Sequence, residues 1–245
     1  MSQVGTQTLM KRAVFFDLYG TLIEIRTDEY DPWVYSVLSQ YLSYHSVNID
    51  AEELKRGYFD GIRQHLNQST ETYPEVDIYK VFHNIMHKYG NKKYFRNTVL
   101  DTIMLFRSLT IRQFGVFPGL YDVLVSIGKR YKTAIISDAQ WSFSESEIEK
   151  AGLDRFFRPR ILSSRYGFKK PDTRMFTTAM EKLKVRPDES VYIGDSPPKD
   201  LVGAKRSGMK FILFRSECRS YNGFQPDKCF NEYSELEDIL KRVWL

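Results

Sequence analysis

Short apolar runs that stop on a polar or acidic residue alternate along this chain with stretches where apolar residues recur every three or four positions. Ala13-Val14-Phe15-Phe16 is the first run, and it ends abruptly on Asp17. An unbroken apolar run of this length predicts a short buried strand. Lys132–Asp138 (KTAIISD), Arg160–Leu162, Ser190–Gly194 (SVYIG, followed by Asp195) and Lys210–Phe214 (KFILF) predict further strands. Between them the spacing predicts helices over Leu120–Arg130, Ser144–Lys150 and Thr173–Lys184, one ending near Gly208, and a closing amphipathic helix over Tyr233–Trp244. Strands alternating with helices predict an α/β fold, a doubly wound parallel sheet with right-handed crossovers.

One block breaks the alternation. Ile23-Glu24-Ile25-Arg26 alternates like a small hairpin flap, and from Thr27 the texture becomes helical. Asp31-Pro32 has the look of an N-cap followed by proline at the first helical position. Trp33, Val34, Val37, Leu38, Tyr41 and Leu42 then fall at helical spacing. Asp50 and Glu53 form a capping-box-like pair ahead of a helix carrying Leu54, Tyr58, Ile62 and Leu66. A third helix is expected over Ile78–Tyr89, stopped by Gly90, and a fourth over Asn97–Phe114. Residues 27–116 show no evident strand and read as one inserted helical module. The core is then 11–26 together with 117–245, preceded by a flexible tail at 1–10.

Composition narrows the class without naming a reaction. The chain has 245 residues, 42% of them hydrophobic, enough for a sizeable core. Its net charge of +5 comes from basic residues scattered among 31 acids, so nucleic-acid binding is not indicated and an anionic small substrate fits as well. The first ten residues lack the cationic start and apolar stretch of a secretion signal. No apolar run is long enough to span a bilayer. Cys218 and Cys229 supply neither a disulfide framework nor a zinc spacing, and reduced thiols in a cytoplasmic protein are the expectation. His83 and His87 stand four apart, as a metal pair on a helix would. The apolar face of that helix is built by Ile78, Phe82, Ile85 and Tyr89, so a solvated or substrate-facing role is expected for the pair instead.

The ends of the predicted strands carry the candidate chemistry. In a parallel sheet, ligands bind beyond the carboxyl ends of the strands. Asp17, Ser137 and Asp195 all stand there. Gly20 supplies a turn after Asp17 and Thr21 a hydroxyl that can tie the loop. Lys169 and Lys170 lie on the loop before the Thr173 helix, and Asp200 follows Asp195 by five residues. Carboxylates from separate strands suit a hard cation such as magnesium, and an ammonium with a hydroxyl suits anionic phosphoryl oxygens.

In this combination the sequence resembles the haloacid dehalogenase-like (HAD) hydrolase superfamily over nearly its whole length. DLYGT looks like the first motif, Ser137 the second, Lys170-Pro171-Asp172 the third and GDSPPKD (Gly194–Asp200) the fourth. The resemblance implies a Rossmann-like core, a helical cap at 27–116, and a magnesium-dependent phosphatase acting on a small phosphorylated metabolite. Asp17 would be the nucleophile, forming an aspartyl-phosphate, with Ser137 and Lys170 holding phosphate. Lys169 competes with Lys170 for that role, but adjacency to the proline favours Lys170. Asp17, Asp195 and the Tyr19 carbonyl would ligate Mg2+, with Asp200 a further ligand or an outer orienter. Tyr19, Gly20, Thr21 and Asp138 would border the substrate. A soluble monomer or homodimer, with no nucleic-acid or membrane partner, is the matching expectation.

Tyr19 departs from the family's phosphatases, which usually carry there a second aspartate that protonates the leaving oxygen and later activates water. A phenol with an ordinary pKa of about 10 is a poor substitute, and losing a general acid/base typically forfeits roughly 10²–10⁴-fold. Tyrosine here is what the family's 2-haloacid dehalogenases show, so carbon–halogen hydrolysis is the alternative reading. A weakly active or non-catalytic phosphate-binding member is another. Against the dehalogenase, those enzymes need no metal and usually carry an asparagine where this chain has Pro197 and a tyrosine where it has Phe176. They also place an arginine early in the cap. The region around Val47–Asp50 has none, although Arg56 or Arg63 could reach in.

Overall fold

A computed structural model describes residues 12–91 and 93–244. The tail expected over 1–10 lies outside them. The strands are β1 (Ala13–Phe16), β2 (Ile23–Thr27), β3 (Ile111–Val116), β4 (Lys132–Ser137), β5 (Arg160–Leu162), β6 (Ser190–Gly194), β7 (Lys210–Phe214) and β8 (Lys228–Phe230). Six of them make one parallel sheet in the order β5-β4-β1-β6-β7-β8. β1 therefore sits near the middle, with Phe16 level with Ile135 on one side and Ile193 on the other.

The solid apolar runs are explained by burial on both faces. Successive side chains of a strand point to opposite sides. Val14 and Phe16 pack with Leu120, Leu124 and the closing helix α9 (Leu236–Val243). Ala13 and Phe15 pack with Met175 and Phe176 of helix α7 (Thr173–Leu183) on the other face. All four β1 side chains are fully buried, each contributing about 1.5–3 kcal/mol for the large ones. Because the strands are parallel, Asp17, Asp138 and Asp195 emerge at one edge of the sheet.

Between β2 and β3 run α1 (Pro32–Tyr44), α2 (Ala51–Gln68), α3 (Ile78–Tyr89) and α4 (Arg96–Thr110). They surround an apolar cluster of their own, in which Phe106 meets the rings of Tyr35, Tyr58 and Phe82 at 4.8–6.0 Å. The expected caps form: Asp31 accepts from the Trp33 amide and Asp50 from the Glu53 amide. Asp77 likewise caps α3 through the Tyr79 amide. Aspartate at an N-cap satisfies one of the unpaired amides of the first turn.

Several expectations are corrected. The fourth helix stops at Thr110 rather than Phe114, and residues 27–116 do contain a strand. Ile23–Thr27 makes no hairpin by itself but pairs antiparallel with Ile111–Val116. Phe114, which extended the helical spacing, is 37% exposed and belongs to that ribbon. Helix α5 spans Leu120–Ile127, short of Arg130, and α6 covers Trp141–Lys150. α8 is a short helix, Val202–Arg206, and the closing segment begins as a tight turn at Tyr233–Glu235 before α9. Cys218 and Cys229 are joined in a disulfide, not held as free thiols, with Cα atoms 5.9 Å apart. β8 lies parallel beside β7, so the connection between them must run back along the sheet, and it carries Cys218 past Cys229. Among the described residues no helix is long and apolar enough to cross a membrane.

The ring cluster of the helical insert supports a direct stability test. Phe106→Ala should lower unfolding free energy by about 3–5 kcal/mol, read as a shift of the urea midpoint at unchanged slope. A loss below ~1 kcal/mol would show that this cluster is not a packed core.

Candidate functional site

The centre is built at the tip of β1. The Asp17 amide donates to the Ile193 carbonyl at 2.9 Å, fixing the carboxylate against β6. The chain then closes a tight loop, in which the Gly20 amide donates to the Ile23 carbonyl and the Leu22 amide to the Leu18 carbonyl. Gly20 has φ +84°, and a Cβ there would lie 2.6 Å from Asp195 Oδ2. Glycine is thus required both by conformation and by the close approach of the carboxylate. Thr21 Oγ1 donates to Asp195 Oδ1 at 3.3 Å. The buried Tyr233 hydroxyl holds the same loop through the Thr21 carbonyl at 2.6 Å.

Lys170 enters from the opposite loop and is 3% exposed. Its Nζ lies 2.8 Å from Asp17 Oδ1 and donates to Asp200 Oδ1 at 2.7 Å and to the Tyr192 hydroxyl at 3.0 Å. Burial alone would pull its pKa down, but Asp17 and Asp200 more than offset that and hold the ammonium charged. Asp138 Oδ1 accepts the Lys170 amide at 2.8 Å, placing the lysine's backbone. The other Asp138 oxygen, Oδ2, lies 3.5 Å from Lys199 Nζ. Ser137 ends β4, the strand paired beside β1, and is buried.

Three carboxylates face that one ammonium. Ligand oxygens of Asp17, Asp195 and Asp200 lie within 4.8 Å of one another. Burial, then the Asp17 charge, raises the pKa of Asp195. Asp200 is pushed up to about 7 by burial, with Lys170 opposing. Asp17 Oδ1 faces the lysine but has no well-directed hydrogen bond. The excess of negative charge over this one ammonium fits a hard divalent cation with oxygen ligands. Asp200 is already engaged through both oxygens, the second accepting the Ser196 amide at 2.9 Å.

Tyr19 points away from this charge cluster into a separate seam. Its hydroxyl bonds with Ser144 Oγ at 2.7 Å and donates to Glu147, both on α6. Glu147 in turn accepts from Arg107 of α4, Nε at 2.6 Å and Nη2 at 3.2 Å. The guanidinium lies over the rings of Phe143 and Tyr19 at 4.2 and 5.6 Å. Burial and the Glu147 charge raise the phenol's pKa, so it stays neutral. Arg107 and Glu147 are 6% and 2% exposed, a buried ion pair joining insert to core.

The structure thus brings together Asp17, Asp138, Lys170, Asp195 and Asp200, with Ser137 at the end of the neighbouring strand and Gly20 and Thr21 shaping the loop. Lys169 is half-buried beside Lys170, and its amide donates to the Tyr73 carbonyl at 2.9 Å. Arg56 and Arg63 do not reach the centre; both are exposed on α2, and Arg63 pairs with Asp60. Phe176 is buried behind the sheet, edge-on to Tyr192 at 5.1 Å. His83 and His87 are exposed and stack on one another. Tyr192, Tyr233, Arg107 and Glu147 were not anticipated. A sequence signal existed for the last pair: each is a charge on the apolar face of its helix, Arg107 four residues after Ile103 and Glu147 four after Phe143.

The buried pair makes a measurable claim. Glu147→Ala should cost about 3–5 kcal/mol, because it strands the Arg107 charge. The double replacement Arg107→Met with Glu147→Met should cost markedly less in the same urea titration. Equal losses would contradict a buried, mutually dependent pair.

A family model described as haloacid dehalogenase-like hydrolase matches residues 14–214. Glyceraldehyde 3-phosphate phosphatase of Pyrococcus furiosus is 34% identical over 134 residues, 51% of this chain and 54% of that protein. The chain spans about half the length of the curated relatives it matches first, 55% and 54%. A 2-haloacid dehalogenase structure from Pseudomonas syringae pv. tomato superposes with TM-score 0.65 at 21% identity, covering 95% of this chain and 99% of that one. A HAD phosphatase structure from Thermococcus onnurineus gives 0.58 at 24% identity, over 94% and 97%. These likenesses share the fold, and the family match runs from β1 through β7, taking in every strand end that carries Asp17, Ser137 and Asp195. The chain belongs to the haloacid dehalogenase-like hydrolase family.

Proposed function

We propose that this protein is a magnesium-dependent phosphatase of small phosphorylated metabolites, working through an aspartyl-phosphate on Asp17. The observation that carries the reading is the group of Asp17, Asp195 and Asp200, whose ligand oxygens lie within 4.8 Å of one another beside the Lys170 ammonium. The phosphatase names of the relatives support it. Asp17, Asp195 and the Tyr19 carbonyl are assigned to the metal. Asp200 is assigned to orient Lys170 and the Ser196 loop, since both of its oxygens are already used. Bound magnesium would neutralise phosphate charge near the carboxylates.

In this mechanism Asp17 attacks phosphorus in line with the leaving oxygen. Lys170 and the Ser137 hydroxyl stabilise charge on the equatorial oxygens. Asp200 and the Tyr192 hydroxyl fix the place of the Lys170 ammonium for that role. Water then hydrolyses the aspartyl-phosphate. The helical insert over residues 27–116 serves as the cap that excludes bulk water and selects the leaving group.

Tyr19 limits the chemistry. Its hydroxyl is committed to Ser144 and Glu147 and is disfavoured as an acid, so the leaving oxygen receives no proton from it. Phosphates whose leaving group is stable as an anion, acyl or aryl phosphates, suffer least from this. A second reading shares that feature: Asp17 attacks carbon and expels halide, which also needs no proton. It is favoured by Tyr19 alone and leaves the carboxylate excess without a purpose.

The test is hydrolysis of p-nitrophenyl phosphate against magnesium concentration, beside a simple alkyl phosphate. Release should require magnesium, vanish in Asp17→Asn, and exceed alkyl phosphate turnover by roughly 10²-fold or more. Absence of release at any magnesium level, with halide freed from a 2-haloacid in chelator, would select the second reading.

A further inference from the structure

The stretch joining α2 to α3 lies against the core instead of bridging open solvent. The Glu75 amide donates to the Gly167 carbonyl at 3.0 Å, Pro74 pairs with Phe168, and the Lys169 amide donates to the Tyr73 carbonyl. Gln140 grips the next turn, its side chain donating to the Val76 carbonyl at 2.9 Å and accepting from the Ile78 amide at 3.0 Å. A segment of the insert is therefore annealed to the loop that ends in Lys170.

Glu75 stands out within that segment. It is 8% exposed, yet among the described residues it makes no ion pair. Its Oε2 accepts from Ser163 Oγ at 2.6 Å, and the same Ser163 oxygen accepts the Ala139 amide at 2.9 Å. Ala139 directly follows Ser137 and Asp138. Burying a carboxylate without an ion pair is costly, and burial raises its pKa, with the Ser163 bond and the Lys169 charge opposing. An apolar side chain would seal the seam at lower cost. What the carboxylate adds is connection: one side chain reaches the loop of Ser137 and Asp138, while its own backbone holds the loop of Lys169 and Lys170.

We propose that Glu75 is a positioning residue, which sets the two anion-holding loops in register when the helical insert is seated on the core. It touches no reacting atom. Ser163 carries its influence to the Ser137 loop, and the Tyr73–Glu75 main chain carries it to the Lys170 loop. The catalytic consequence rests on the phosphatase reading; the structural one does not.

The experiment compares Glu75→Ala, Glu75→Gln and, as a destabilised control within the insert's own core, Leu54→Ala. All are assayed well below their melting temperatures with p-nitrophenyl phosphate and magnesium, and amide exchange at Lys169 is followed in each. Glu75→Ala should lower kcat by about 10-fold or more, as loss of placement does, with a smaller change in KM, and should speed exchange at Lys169. Glu75→Gln should lose less than Glu75→Ala, because its single amide oxygen can still accept either the Ser163 hydroxyl or the Val76 amide, though not both. Leu54→Ala should lose stability while keeping kcat. Wild-type kcat and exchange in Glu75→Ala would overturn the proposal, as would a kcat loss equally large in Leu54→Ala. If the wild-type protein shows no turnover, the phosphatase reading fails and exchange at Lys169 alone decides: unchanged protection in Glu75→Ala refutes the positioning role.

Discussion

Everything at the tip of the sheet depends on Lys170 being charged inside the protein. An ammonium this deeply buried is tolerable only if its surroundings repay lost hydration. Asp17 and Asp200 do so at 2.8 and 2.7 Å, and the Tyr192 hydroxyl completes the set at 3.0 Å. The requirement runs outward from there. Asp200 must be held by the Ser196 amide, Gly194 must lack a side chain because a Cβ would meet Asp200 Oδ2 at 2.4 Å, and Asp138 must hold the lysine's own amide. One desolvated cation thus organises three loops from three strands.

A second buried charge pair sits where the helical insert meets the core. Arg107 and Glu147 neutralise each other and take the Tyr19 hydroxyl with them. The same loop that presents Asp17 to the charge centre therefore presents its next side chain but one to the insert seam. Insert placement and loop geometry are coupled through Tyr19 on this side and through Glu75 on the other. A phenol in that position acts as a strut between Ser144 and Glu147, which is a use of tyrosine quite different from proton transfer.

Much of this was legible in the chain. The parallel strands declared themselves because burial on both faces makes them solidly apolar, and the acids at Asp17 and Asp195 marked which end mattered. Lys170 followed from its motif. The β2–β3 ribbon was hidden because Phe114 continued the spacing of α4 by accident, while the real stop at Thr110 carries no glycine or proline. β8 is only three residues long, too short for periodicity to register, and without it the disulfide of Cys218 with Cys229 had no visible geometry. Tyr192 and Tyr233 read as core residues, which they are; only packing shows that their hydroxyls support Lys170 and the Thr21 carbonyl. Glu75 sits in a stretch with no pattern at all, since what it contacts is distant in sequence.

A phosphatase of this kind must carry phosphate on Asp17 during turnover. Mixing the protein with magnesium and an aryl phosphate, quenching in acid within one turnover, and weighing the peptide that contains Asp17 tests it directly. A transient phosphoryl mass is expected on that peptide, absent in Asp17→Asn and absent when magnesium is chelated. Consumption of the ester with the Asp17 peptide unmodified at every time point would contradict it.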